Sequence, residues 1–179
     1  MRWLWIAVFV GAGYWSWLTW FKPMPTAVSL ADGYQMIELE PYRNTFRILA
    51  RRDYHHDDGA KFSPVDFAVG MGVMTDPKIY KQFNIEQRNR WYYWRVDQYP
   101  IPRREIEINS ANMHIVPANP TIAEQLKRVK PDDLVVLSGA LIEISHSNGW
   151  RWRSSLSRED TGDGACELMR VDQIEWLSP

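Results

Sequence analysis

The chain has little with which to staple or ligate itself. Cys166 is its one cysteine in 179 residues, so no disulfide can close within the chain and no zinc-cysteine cluster can form. Charge of one sign is equally short of an excess: 21 Lys and Arg stand against 22 Asp and Glu, a formal net charge of −1. A dedicated nucleic-acid binder normally carries a basic surplus to meet phosphates, so nucleic acid is not an expected partner. Repeats and low-complexity tracts are missing. So are a G-x-S-x-G elbow and an H-E-x-x-H pair, the spacings that would announce a serine hydrolase or a zinc peptidase.

What the chain does have is a long uncharged start, MRWLWIAVFVGAGYWSWLTWF. Residues 3–21 carry no formal charge between Arg2 and Lys22, about the length that crosses a hydrocarbon core of roughly 30 Å at about 1.5 Å per residue. Trp3, Trp5, Trp17 and Trp20 sit near its two ends, where indole rings anchor a spanning helix at headgroup level. A cleaved signal has a shorter apolar stretch, about 7–15 residues, and Ala27-Val28-Ser29 is a poor cleavage triplet. The sequence therefore predicts a transmembrane signal-anchor helix over residues 1–22 that enters the bilayer through residues 3–21. The N-terminal amine and Arg2 outweigh Lys22 by a single charge, so the positive-inside rule places the body on the periplasmic or extracellular side of the bacterial inner membrane. Ala7 and Gly11, like Ala12 and Ser16, fall four apart, a spacing that lets two such helices self-associate. Pro23 and Pro25 stop the helix and open a short linker over residues 23–33.

Residues 34–179 read as one β-rich domain. YQMIELE (34–40) and TFRILA (45–50) are strand candidates separated by Pro41 and Asn44. VDFAVGMGV (65–73), residues 79–86, RWYYWRVD (90–97) and RREIEI (103–108) follow, the last by its period of two. A turn is expected at Arg88-Asn89. One helix is predicted after Pro120, with Thr121 and Glu124 at capping-box spacing and Ile122, Leu126 and Val129 on its apolar face. LVVLSGALIEI (134–144) is a buried strand, Asn148-Gly149 a hairpin turn, and CELMRVDQIEW (166–176) the last strand. Many short strands with Pro- and Gly-rich turns predict a mainly-β domain, a β-barrel or sandwich of OB-like or SH3-like kind, with one short helix.

Three constellations bear on chemistry. HHDDG supplies imidazoles and carboxylates, and with a more distant imidazole gives a candidate metal set of His55, His56, Asp58 and His114. Neighbouring side chains in extended backbone point to opposite faces, so the set needs the fold to bring it together. EDTGDG (159–164) lacks the ligand spacing of a calcium loop and reads as a turn. Ser110, Asn112 and His114 fall within INSANMHIVPANP, where Ser110 meets His114 only if the segment is helical; loop-holding hydrogen bonds are the simpler role. No lysine follows Lys130, which removes the base of a serine–lysine peptidase. Arginines interleaved with aromatic rings form the third constellation. Arg90, Trp91, Tyr93, Arg95, Arg151 and Arg153 are candidate partner-binding residues, because rings and guanidinium forks together stack on and grip a partner.

At SPVDFAVGMG (63–72), NSANMHIVPA (109–118) and WRSSLSREDTGDGACEL (152–168) the chain resembles a group of uncharacterised bacterial single-span membrane-anchored proteins. The resemblance implies an envelope protein and carries no activity, cofactor or catalytic residue with it. The expected function is a membrane-anchored, non-enzymatic binding or scaffold module that docks a protein partner in the envelope. The alternatives are a small membrane-tethered metal-dependent hydrolase built on the histidines, and a glycan or lipid-headgroup binder built on the tryptophans.

Overall fold

The computed structural model describes residues 27–159 and 166–177. The expected membrane span and most of the EDTGDG turn lie outside those residues. Among the described residues no helix is long and apolar enough to cross a membrane. The described residues form nine strands: β1 (Ala27–Ser29), β2 (Tyr34–Asp53), β3 (Val65–Gly70), β4 (Asn84–Arg88), β5 (Trp91–Arg95), β6 (Ser110–Pro117), β7 (Leu134–His146), β8 (Arg151–Arg153) and β9 (Glu167–Trp176). Its short helices are α1 (Pro77–Tyr80), α2 (Arg103–Ile108) and α3 (Pro120–Leu126).

One large sheet dominates, in the order β1-β2-β3-β6-β9-β7-β8, and β2 also pairs with β7. The pairings β2–β3–β6–β9–β7–β2 therefore run round in a closed ring, with only the β6–β9 contact parallel. β2 makes the closure possible because it is 20 residues long. It pairs with β7 from Tyr34 to Arg47, with β1 near its start and with β3 at its end. Its register shifts between Glu38 and Glu40 and again between Ile48 and Ala50, and such bulges bend a strand. This is why the two strands expected on either side of Pro41 are one: the proline sits beside a bulge, where its missing N–H disturbs least. β1 lies inside the expected linker and extends the sheet.

Alternation along the ring strands sends one set of side chains inward. Phe46, Ile48, Val65, Phe67, Met113, Ile115, Leu137, Met169 and Val171 fill the interior, and Ile122 and Leu126 of α3 and Val129 just beyond it pack onto it. The cap of α3 is Asn119, whose Oδ1 accepts from Ile122 N at 3.0 Å, with Pro120 in the first turn. The capping box expected at Thr121 is thus placed two residues late.

Between β3 and β6 the chain inserts α1, the β4–β5 hairpin and α2, over their own cluster of Met74, Tyr80, Phe83 and Ile106. RREIEI is a helix here and not the strand its period of two suggests. Only Ile106 of the segment is buried, Arg103 pairs with Glu107 one turn on at 2.8 Å, and Pro102 opens the helix. The hairpin turn falls at Asn89-Arg90, with φ of +51° and +66°, one residue later than expected and of the primed kind that suits a two-residue loop. At Asn148-Gly149 only the glycine has positive φ, +94°, and Gly149 N donates to His146 O at 3.0 Å. That loop is a turn closed by a left-handed glycine instead of the two-residue form.

Candidate functional site

Asp66 of β3 and Ser110, Asn112 and His114 of β6 face outward and are polar and still buried, which is where the site begins. Asp66 faces His114 across the β3–β6 ladder, and Ala68 faces Asn112. Asp66 is 0 % exposed and His114 3 %. A charge so deep needs partners, and the β4–β5 hairpin brings them by folding over this face. Arg90, at the hairpin tip, donates to Asp66 Oδ1 at 2.7 Å and forks onto both oxygens of Asp57 at 3.1 and 2.7 Å. Its guanidinium also lies 3.7 Å over the Tyr54 ring, a cation–π contact. Asn112 Nδ2 reaches Asp66 Oδ2 and the Arg90 carbonyl at 3.3 and 3.0 Å, while Gln87 donates to Asn112 Oδ1 at 2.7 Å. Tyr92 and Ser110 share a hydrogen bond of 2.9 Å lower on the same face.

His114 Nδ1 stands 3.0 Å from Asp66 Oδ2 but off the line of a hydrogen bond. The imidazole lies against Trp152, ring centroids 4.8 Å apart. Trp152 and Trp150 come from β8 and the turn before it, and their rings stand 6.3 Å apart at 78°. β8 is fixed from both sides. Glu143 of β7 takes a two-pronged contact from Arg151 at 2.6 and 2.7 Å and a third from Arg153 at 2.5 Å. Ser154 Oγ accepts from Leu168 N of β9 at 3.0 Å. Gly59 of the loop after β2 fits edge-on to Trp152, where an added Cβ would come within 2.7 Å of the ring.

These pieces enclose a cleft of about 510 Å³, lined by Asp57, Asp58, Trp91, His114, Trp150 and Trp152 with Arg90, Arg151 and Arg153 at its edges. Its charges are tied down. Burial opposes ionisation of Asp57, but hydrogen bonds from Arg90 and from the Gly59 and Ala60 backbone outweigh it and hold the carboxyl below its ordinary value. Hydrogen bonds from Arg151, and then from Arg153, hold Glu143 below its ordinary value against a smaller cost of burial. Burial pushes the Tyr92 phenol up.

The sequence-derived candidates divide accordingly. His55 and His56 stay exposed in the loop after β2, ring centroids 6.2 Å apart, while His114 turns toward Asp66 beneath the hairpin. His55, His56, Asp58 and His114 are not gathered round one point: among the described residues no three His, Cys, Asp or Glu side chains are placed to hold a metal ion. Ser110 and His114 lie on one extended strand, four residues apart, too far to act as nucleophile and base. Of the six partner-binding candidates, Arg90 is an internal strut, with its side chain 16 % exposed. Trp91 lines the cleft, Arg151 and Arg153 are braced on Glu143, and Tyr93 and Arg95 face solvent on β5. Asp66 was not singled out from sequence; the available signal was a lone acid inside the apolar run VDFAV. Segments 63–72, 109–118 and 152–168 supply Asp66, then Asn112 and His114, then Trp152, of which His114 and Trp152 line the cleft. No family model, curated protein or solved structure matches the chain.

Proposed function

We propose that this chain is a membrane-anchored, non-enzymatic binding module of the bacterial envelope, an OB-like barrel that docks its partner in the cleft on the outer face of β3 and β6. The observation that carries the reading is the position of the cleft. Counted in chain order, the ring strands run 1-2-3-5-4-1, with a helix between the third and fourth, and this supports the OB-like form. In that form the face of strands two and three, framed by the loops after strands one and four, is where ligands are held. In this reading β3 and β6 take the place of those strands, residues 54–64 and the described residues 147–159 fall in those two connections, and the cleft lies between them.

A flat aromatic–arginine patch for a protein surface has less support than a concave site, because Arg90, Arg151 and Arg153 are committed to carboxylates of the same chain. The binding reading is favoured over hydrolysis by the absence, among the described residues, of a converging metal set. The anchor keeps the cleft near a bilayer, so the partner is an envelope component.

Photo-crosslinking in cells tests this. A photoreactive residue at Tyr93 or Arg151, beside the cleft, is expected to give the same adduct, and one at Lys127, just past α3, to give none. Equal adducts from Lys127, or none from Tyr93 and Arg151, would defeat the reading.

A further inference from the structure

We infer that the cleft takes a neutral saccharide, a short run of pyranose rings, an inference that rests on the binding-module reading above and names the partner's chemistry. Three features converge on it. The first is the wall. Trp91, Trp150 and Trp152 give the cleft three indoles, and Trp150 stands at 78° to Trp152, so that they form a corner instead of a stack. An indole face carries negative quadrupole density and attracts weakly positive C–H groups. A pyranose ring offers such a C–H face on each side and hydroxyls round its rim, a shape that fills an aromatic corner lined with polar groups.

The second feature is charge. Each arginine of the lining already faces a carboxylate: Arg90 faces Asp57 and Asp66, and Arg151 and Arg153 face Glu143. Asp58 is the acid of the lining left without an ion pair among the described residues. Arg151 and Arg153 share one carboxylate, but Arg90 meets two, so the three arginines balance Asp57, Asp66 and Glu143. Asp58 leaves the site with one negative charge in excess, which disfavours an anionic ligand and a phosphodiester chain above all. A neutral ligand meets no such obstacle. Paired guanidinium and carboxylate groups are held rigid and still have unused N–H donors and oxygen lone pairs, which suit hydroxyls that both donate and accept. Asp58, exposed and unpaired, is the acceptor best placed to take two neighbouring hydroxyls.

The third feature is size. At about 510 Å³ the cleft falls within the range of roughly 300–1,000 Å³ typical of small-ligand sites, room for a short run of sugar rings. Oligosaccharides and oligonucleotides are the two chain ligands this face of an OB-like barrel accommodates, and the charge argument chooses between them.

The test uses the full chain in a non-glycosidic detergent, titrated calorimetrically with neutral di- to tetrasaccharides of hexoses and N-acetylhexosamines. A single-stranded oligonucleotide and a mixed-sequence peptide set serve as competitors. Expected is saturable binding of at least one saccharide, unchanged when salt rises about tenfold because no counterions are released. Trp91→Ala and Asp58→Asn, both outside the hydrophobic core, should each raise Kd about tenfold or more while leaving the unfolding midpoint in place. The same sugars displayed as glycolipid headgroups on vesicles tell a lipid-borne source from a free glycan; binding of either form supports the inference. It is overturned if no saccharide binds, if both variants bind like the parent, or if the oligonucleotide binds better with a steep salt dependence. Loss of saccharide binding alongside a protein adduct from Tyr93 and Arg151 would overturn this inference and leave the docking reading standing; loss of both would remove the two together.

Discussion

Arg90 carries two unfavourable terms at once, a left-handed backbone with φ of +66° and a guanidinium drawn out of water. A non-glycine residue held there costs about 1–2 kcal/mol, so the residue persists because its side chain is needed. It is the only cation that the described residues place on the fully buried Asp66, apart from His114 when protonated. Arg90→Ala is therefore expected to destabilise the protein by about 3–5 kcal/mol, the usual cost of orphaning a buried charge, read as a drop in the urea midpoint at constant slope. Arg90→Lys keeps the charge and loses the fork, and should fall between the two. Arg90→Gly relieves the backbone but still orphans Asp66; if it proves as stable as the parent, the ion pair is not what holds the hairpin down. Little of this was legible in the sequence. HHDDG draws the eye by composition, yet the residues that organise the site are Asp66, single in an apolar strand, and Arg90, whose role depends on a turn one residue away from where the pattern places it.

Elements were legible where periodicity and length agreed and illegible where a short segment satisfied two patterns. LVVLSGALIEI is long, apolar and β-branched, and it is β7; RREIEI fits alternation in six residues as well as it fits one helical turn and a half, and the prolines before it decide for helix. The strand β8 is too short to stand by itself and depends on Glu143. Because the folded carboxyl of Glu143 lies below its unfolded value, its contribution is present above the unfolded pKa, about 4.3, and is lost as pH falls through the lower folded value. Asp57 acts in the same direction on the loop after β2. Acid should therefore loosen β8 and that loop, and tryptophan emission is expected to redden below about pH 4. Glu143→Gln should flatten that part of the profile. β7 also depends on its bulge: Gly139 lies against the Arg170 carbonyl of β9, where a Cβ has no room. Gly139→Val is expected to lower stability by about 1–3 kcal/mol, seen in the thermal midpoint, whereas the same change at Gly149, open to solvent, should act only through its positive φ.

At the scale of the whole molecule, the ring of strands sets where the cleft lies, and the proposed anchor would set where it acts. A C-terminal reporter that is active only outside the cytoplasm is expected to be active on the full chain; activity of a cytoplasmic reporter instead would reverse the orientation. Leu137→Ala, in the middle of the ring's interior and 0 % exposed, should cost about 2–5 kcal/mol and lower one shared transition for all probes. The mainly-β class was readable because turn residues recur between short apolar runs, but the closure was not, since it depends on which strands meet. Among the described residues β9 sits between β6 and β7 and joins them into a ring. In chain order its residues 167–176 follow every other strand of the ring. Until they dock, the ring is an open sheet with the edges of β6 and β7 unpaired, so the strand that closes it also guards the fold against edge-to-edge pairing with another chain.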